Sequence, residues 1–100
     1  MNALVVAPLD HPLVASLFDA LVQAHRFSAR ERSVLQEVLL GRSSAAIARQ
    51  LGLRETTVHK HLHSIFARTE TESRQRLCEL ALRLAAQRRV VQPRPLAVAA

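Results

Sequence analysis

The sequence predicts an all-α fold, and three observations carry that prediction. Apolar residues recur with a period near 3.6 along most of the chain, the signature of helices that bury one face. Only two glycines occur, in a body rich in Ala, Leu, Arg, Gln and Glu, which are strong helix formers. The apolar share is 49%, yet there are three Phe and no Trp or Tyr, so the core must be built from Leu, Val, Ile and Ala. One hundred residues suffice for one domain with a modest core. Helices are expected near 10–25, 28–41, 44–51, 55–69 and 73–88.

Residues 1–9 form a loose lead-in. Asp10 is placed to cap the first helix, and Pro12 suits its first turn, where a missing amide costs nothing. Leu13, Val14, Leu17, Phe18, Leu21 and Val22 then make an amphipathic stripe. That stripe serves either to complete the core or to dimerise, since both bury the same face. Ser28 and Glu31 have the spacing of a capping box, ahead of the inward set Val34, Leu35, Val38 and Leu39. Arg30 and Arg32 are read as surface charge. Ser43 or Ser44 caps the third helix, whose N-terminus suits a phosphate. Thr71 and Ser73 are candidate caps for the last helix. There Leu77, Leu80, Ala81, Leu84 and Ala85 form one stripe, with Cys78, Leu82 and Ala86 beside it. From residue 89 the helical pattern fades, and Pro93 and Pro95 suggest a flexible tail over 89–100.

The chemistry concentrates between Ile47 and Phe66. Ile47, Ala48 and Leu51 make a short apolar face, and Gly52 breaks the run, because positive φ costs glycine nothing. Leu53 points inward again. Val58, Leu62, Ile65 and Phe66 give the inner face of a longer helix. A short helix, a tight turn and a longer helix make a helix-turn-helix, whose second helix enters the DNA major groove. On that helix Thr56, His59, Lys60, His63 and Ala67 fall opposite the apolar stripe, and none is acidic. Glu55 lies in the first turn, where the helix dipole favours an acid.

The order and spacing of Ser28-Ala29-Arg30-Glu31, Val34-Leu35, Gly41, Ser43, Ile47-Ala48, Leu51, Leu53, Thr57-Val58, His61, Ile65 and Ser73-Arg74 resemble the LuxR-type (GerE-like) DNA-binding domain. The resemblance spans Phe27 to Leu77. It implies a four-helix helix-turn-helix domain that binds double-stranded DNA as a homodimer and regulates bacterial transcription, its last helix making the dimer contact. The N-terminal helix is extra to that pattern. Such domains usually follow a sensor or receiver domain, for which this chain has no room, so it is expected to stand alone. The expected organisation is an N-terminal extension over 1–26, the LuxR-type domain over 27–88 and the tail over 89–100. Three departures from the pattern concern local detail. Arg54 replaces a capping Ser or Thr, so Thr56 or Thr57 is expected to move the cap inward. Ala45 and Ala46 replace a Lys-Glu pair. Thr69 and Thr71 replace an apolar pair, which weakens the junction between the recognition helix and the last one.

The expected DNA-contacting residues are Ser43, Arg54, Thr56, Thr57, His59, Lys60 and His63. Lys60 and the two flanking histidines face base edges, and Ser43, Arg54 and Thr57 face phosphate. The expected dimer surface is Leu77, Cys78, Ala81, Leu82 and Ala85, with Leu17 and Leu21 from the first helix. His61 sits at the rim of the buried face.

Composition agrees with a polyanion partner. Net charge is +6 with histidine neutral and the pI is about 11.5. Residues 27–77 carry nine basic and five acidic side chains, the other residues five and three, so the surplus is largest where the DNA-binding motif lies. Cys78 is the one cysteine, which excludes an intrachain disulfide and suits a small core residue. His59 and His63 stand i, i+4, but no zincin pattern or neighbouring cysteine accompanies them, so neither a metal nor another cofactor is expected. No nucleophile-base pair, phosphate-cradling loop or carboxylate pair points to an enzyme. No stretch is long enough to span a membrane, and a signal peptide is not evident, so the expected place is the cytoplasm, on the nucleoid. Two other readings use the same residues. One is a sigma-factor-like region that binds promoter DNA with RNA polymerase. The other is a small helical adaptor or antagonist that pairs with another regulator.

Overall fold

The computed structural model describes residues 11–91, and the lead-in, Asp10 and residues 92–100 lie outside that range. Five helices follow one another: α1 (Pro12–Ala24), α2 (Ala29–Leu39), α3 (Ser44–Leu51), α4 (Glu55–Thr69) and α5 (Arg74–Val91). Among the described residues there is no strand.

The cap of α1 is His11, its imidazole accepting the Val14 amide at 3.3 Å while Pro12 opens the helix. At α2 the capping box forms as expected. Ser28 Oγ accepts the Glu31 amide at 3.1 Å, and Glu31 Oε1 accepts the Ser28 amide at 2.9 Å. Ser43, not Ser44, caps α3 through the Ala46 amide at 3.1 Å. Ser73 caps α5 through the Arg76 amide at 3.2 Å. The last helix continues to Val91, three residues beyond the expected end, because nothing before Pro93 interrupts it.

The core joins Leu17, Phe18 and Leu21 of α1 to Val34, Leu35 and Val38 of α2, to Ile47, Val58, Leu62 and Ile65, and to Leu77 and Ala81 of α5. Helix α1 lies along α5 and against α2, while α2 and α3 both pack on α4. The N-terminal helix therefore completes the core, one of the two roles open to its stripe. Leu13 departs from that stripe and stands 55% exposed. Phe27, in the α1–α2 link, is buried and meets the His25 ring at a centroid distance of 6.2 Å.

The Thr69–Thr71 junction is less open than expected. Thr69 is buried, and its hydroxyl lies 2.8 Å from both the Ile65 carbonyl and Thr71 Oγ1. A polar side chain in a core is costly only when left unpaired. The turn there is made by Glu70 at φ 55°, a left-handed position that the sequence did not flag with a glycine. Contact with α1 then holds α5 in place.

Candidate nucleic-acid interface

The helix-turn-helix is built by local hydrogen bonds. Gly52 ends α3 at φ 69°, ψ 35°, and its amide donates to the Ala48 carbonyl. The Leu53 amide donates to the same carbonyl at 2.9 Å, so the chain reverses with the last turn of α3 satisfied. A Cβ on Gly52 would meet nothing within 4 Å. The requirement for glycine is therefore conformational, not spatial. Arg54 is the N-cap of α4, and its carbonyl accepts the amides of Thr57 and Val58 at 3.0 and 3.1 Å. No side chain caps this end. The expected inward shift of the cap to Thr56 or Thr57 does not occur: both residues lie inside the helix, which begins at Glu55.

Val58, Leu62 and Ile65 seat α4 on the core. Phe66, expected to share that face, is only partly buried at its edge. The opposite strip is open, with Thr56, His59, Lys60, His63 and Ala67 all exposed. Thr57 and His61 are half-buried at its sides. Arg54 and Ser43 are exposed at the N-termini of α4 and α3, and Arg49 is exposed on the last turn of α3. Thus every expected DNA-contacting side chain reaches solvent at least in part, grouped on two consecutive helices and the turn between them. Lys60 is the fixed cation of the α4 strip and Arg54 stands at the start of its helix, with Glu55 as the acid of the first turn of α4.

Two arginines make long-range contacts that escaped the sequence reading. Arg68, on the last turn of α4, places Nε 3.0 Å from Glu31 Oε1. Glu31 is 5% exposed and so joins α2 to α4 while also closing its own capping box. Arg74, the first residue of α5, donates from Nη1 to the Arg42 carbonyl at 2.6 Å and from Nη2 to Ser44 Oγ at 2.9 Å. Both arginines stand at helix ends and meet groups 30 or more residues earlier in the chain, so periodicity gave no signal.

Of the residues expected at a dimer surface, Leu77, Ala81 and Leu21 are 0% exposed, because their stripe faces the core between α1 and α5. Leu17 is likewise buried and only floors an open groove of about 610 Å³ between those helices. Leu13, Leu82, Ala85 and Ala86 line its sides, and Leu82 is 51% exposed. Cys78 is half-buried rather than a core residue. Burial pushes its thiol above the usual range, against the opposing pull of the Arg74 guanidinium, which disfavours the reactive thiolate. Among the described residues no helix is long and apolar enough to cross a membrane.

Comparison with known proteins agrees with this geometry. The chain is 43% identical over 61 residues to a monoamine regulon transcriptional regulator of Klebsiella aerogenes, an alignment covering 61% of this chain and 27% of that protein. The chain thus spans about a quarter of that relative's length. No solved structure matches. The model of the bacterial regulatory proteins of the luxR family matches residues 25–81, which takes in α2, α3, the turn, α4 and the buried start of α5, and the chain belongs to that family.

Proposed function

We propose that this chain is the DNA-reading part of a transcriptional regulator, inserting α4 into the major groove of double-stranded DNA. The observation that carries this reading is the acid-free exposed strip of Thr56, His59, Lys60, His63 and Ala67 on the second helix of a helix-turn-helix. Lys60 and the flanking histidines face base edges. Arg54, Thr57 and Ser43 meet phosphates and set the register. The relative's name, a transcriptional regulator, points the same way.

A mobility-shift titration of the protein alone against duplex DNA tests the reading; an adaptor that acts only through another regulator would give no shift. Arg54→Ala is expected to weaken specific and random duplexes together. The slope of log K against log salt should become shallower by about one unit, the signature of one lost phosphate contact. An unchanged slope would remove Arg54 from the interface.

The functional unit in this proposal is a homodimer, since paired half-sites match a two-fold protein. The groove between α1 and α5 supports it, with Leu13 and Leu82 the large apolar side chains left open there. Leu82, Ala85 and Cys78 with Leu13 replace the core residues first expected at that contact. Sedimentation should give a dimer on a two-half-site duplex, and Leu82→Glu should reduce it to a monomer. A monomer on that duplex in the unaltered chain would refute the homodimer.

A further inference from the structure

We propose that Arg74 is a positioning residue for DNA binding, one that holds the N-terminal end of α3 against the duplex without touching it. This rests on the reading of α3 and α4 as the DNA-binding face. The loop before α3 is fixed from several sides. Gly41 turns at φ 83°, and its amide donates to the Val38 carbonyl at 2.9 Å. The Arg42 amide donates to the Glu37 carbonyl at 3.1 Å, and Arg42 Nε lies 2.7 Å from the Glu37 carboxylate, itself 5% exposed. These contacts all come from α2, the helix that leads into the loop. Arg74 supplies a hold from α5, a helix distant in sequence. Its planar fork places two donors on two acceptors, the Arg42 carbonyl of the loop at 2.6 Å and Oγ of Ser44, the first residue of α3, at 2.9 Å. Those acceptors flank Ser43, whose hydroxyl caps α3 and keeps its own hydrogen for a phosphate oxygen.

The geometry divides the work between the two residues. Arg74 is half-buried and spends two donors within the protein, whereas Ser43 is exposed. The arginine is thus a brace, and the serine with the first amides of α3 is the contact. A brace of this kind depends on the fork. Lysine keeps the charge, but its three donors radiate from one nitrogen on a flexible stem and do not reproduce the two-nitrogen fork that spans both acceptors. Because the braced contact is a neutral hydroxyl and amides, its loss releases no extra counterion and leaves the salt slope as it was.

The test uses the full chain and a labelled duplex of 30 mixed-sequence base pairs as probe. Arg74→Lys, Arg74→Ala, Ser44→Ala, Ser43→Ala and Arg74→Lys with Ser43→Ala are titrated over several salt concentrations. The temperature is one at which circular dichroism shows each variant fully helical. Arg74→Lys and Arg74→Ala are expected to bind about tenfold more weakly, the scale of a lost charge-assisted hydrogen bond, with an unchanged salt slope. Ser44→Ala, which removes one of the two acceptors, should show a smaller loss in the same direction. It keeps the proposal open to test if an Arg74 variant fails to fold. In the Ser43→Ala background Arg74→Lys should cost little more, because residues acting through one contact are not additive. Three results overturn the brace. Affinity unchanged in the folded variants would leave Arg74 a structural residue only. Restoration by Lys, together with a slope shallower by about one unit in Ala, would make it a direct phosphate contact. Additive losses with Ser43 would break the link between them. If the unaltered chain binds no duplex at all, the DNA-binding reading itself fails, a result distinct from these three.

Discussion

Leu21→Ala is expected to destabilise the chain by about 2–5 kcal/mol, the usual range for truncating a leucine in a filled core. Leu21 is 0% exposed and shares one core with Leu35, Leu77 and Ala81. It therefore sits where α1 meets both α2 and α5. A domain of this size has a total stability of roughly 5–15 kcal/mol, so one substitution in α1 would consume a large part of it. In a thermal melt the midpoint should fall by at least about 10 °C, since each kcal/mol moves a small domain by several degrees. Leu13→Ala is the control. Leu13 stands about two turns away on the same helix but is 55% exposed, and its change should stay within about 0.5 kcal/mol. The contrast separates the two roles open to the stripe of α1. If Leu21→Ala left the monomer's stability intact and weakened only self-association, α1 would belong to an interface and not to the core.

What the sequence made legible was whatever is encoded locally. The five helices lie within a few residues of the expected spans, because periodicity, the Ser28–Glu31 box and the breaks at Gly41 and Gly52 each act over one or two turns. The outward strip of α4 followed from the same arithmetic, since the positions opposite Val58, Leu62 and Ile65 are fixed once those three are inside. Errors gathered where a choice depended on a partner distant in sequence. Leu77, Ala81, Leu17 and Leu21 are expected at a dimer surface, yet α1 and α5 bury them against each other within one chain. Leu13 and Leu82 carry the same apolar character and remain open. Hydrophobicity alone does not tell which leucine in a wide stripe meets its neighbour. Arg74 shows the limit most clearly, since its two acceptors lie 30 and 32 residues earlier. Thr69 shows the converse: a threonine that looked like a weakness in packing is buried with its hydroxyl paired.

Lys60→Ala is expected to reduce discrimination between a selected site and random DNA by roughly 1–3 kcal/mol, the range for a good contact to a guanine edge. Lys60 is exposed at the centre of the outer strip of α4, between His59 and His63. It is the fixed cation among Thr56, His59, Lys60, His63 and Ala67. The neighbouring Ala67 is short and exposed, which allows the duplex to approach closely. A cation in that place meets base edges, whereas Arg54 at the start of the helix meets the backbone. The two substitutions should therefore separate. Arg54→Ala lowers affinity for both DNAs and lessens the salt dependence. Lys60→Ala lowers affinity for the selected site much more than for random DNA, so that their ratio falls. The site comes from repeated selection out of a pool of random duplexes with the unaltered protein, and each variant is then titrated against that site and the starting pool at matched salt. A second selection carried out with Lys60→Ala should return a relaxed preference at the base pair that the lysine meets. If Lys60→Ala weakens both DNAs equally and the second selection returns the original site, the exposed strip of α4 does not read bases, and α4 lies along the backbone instead.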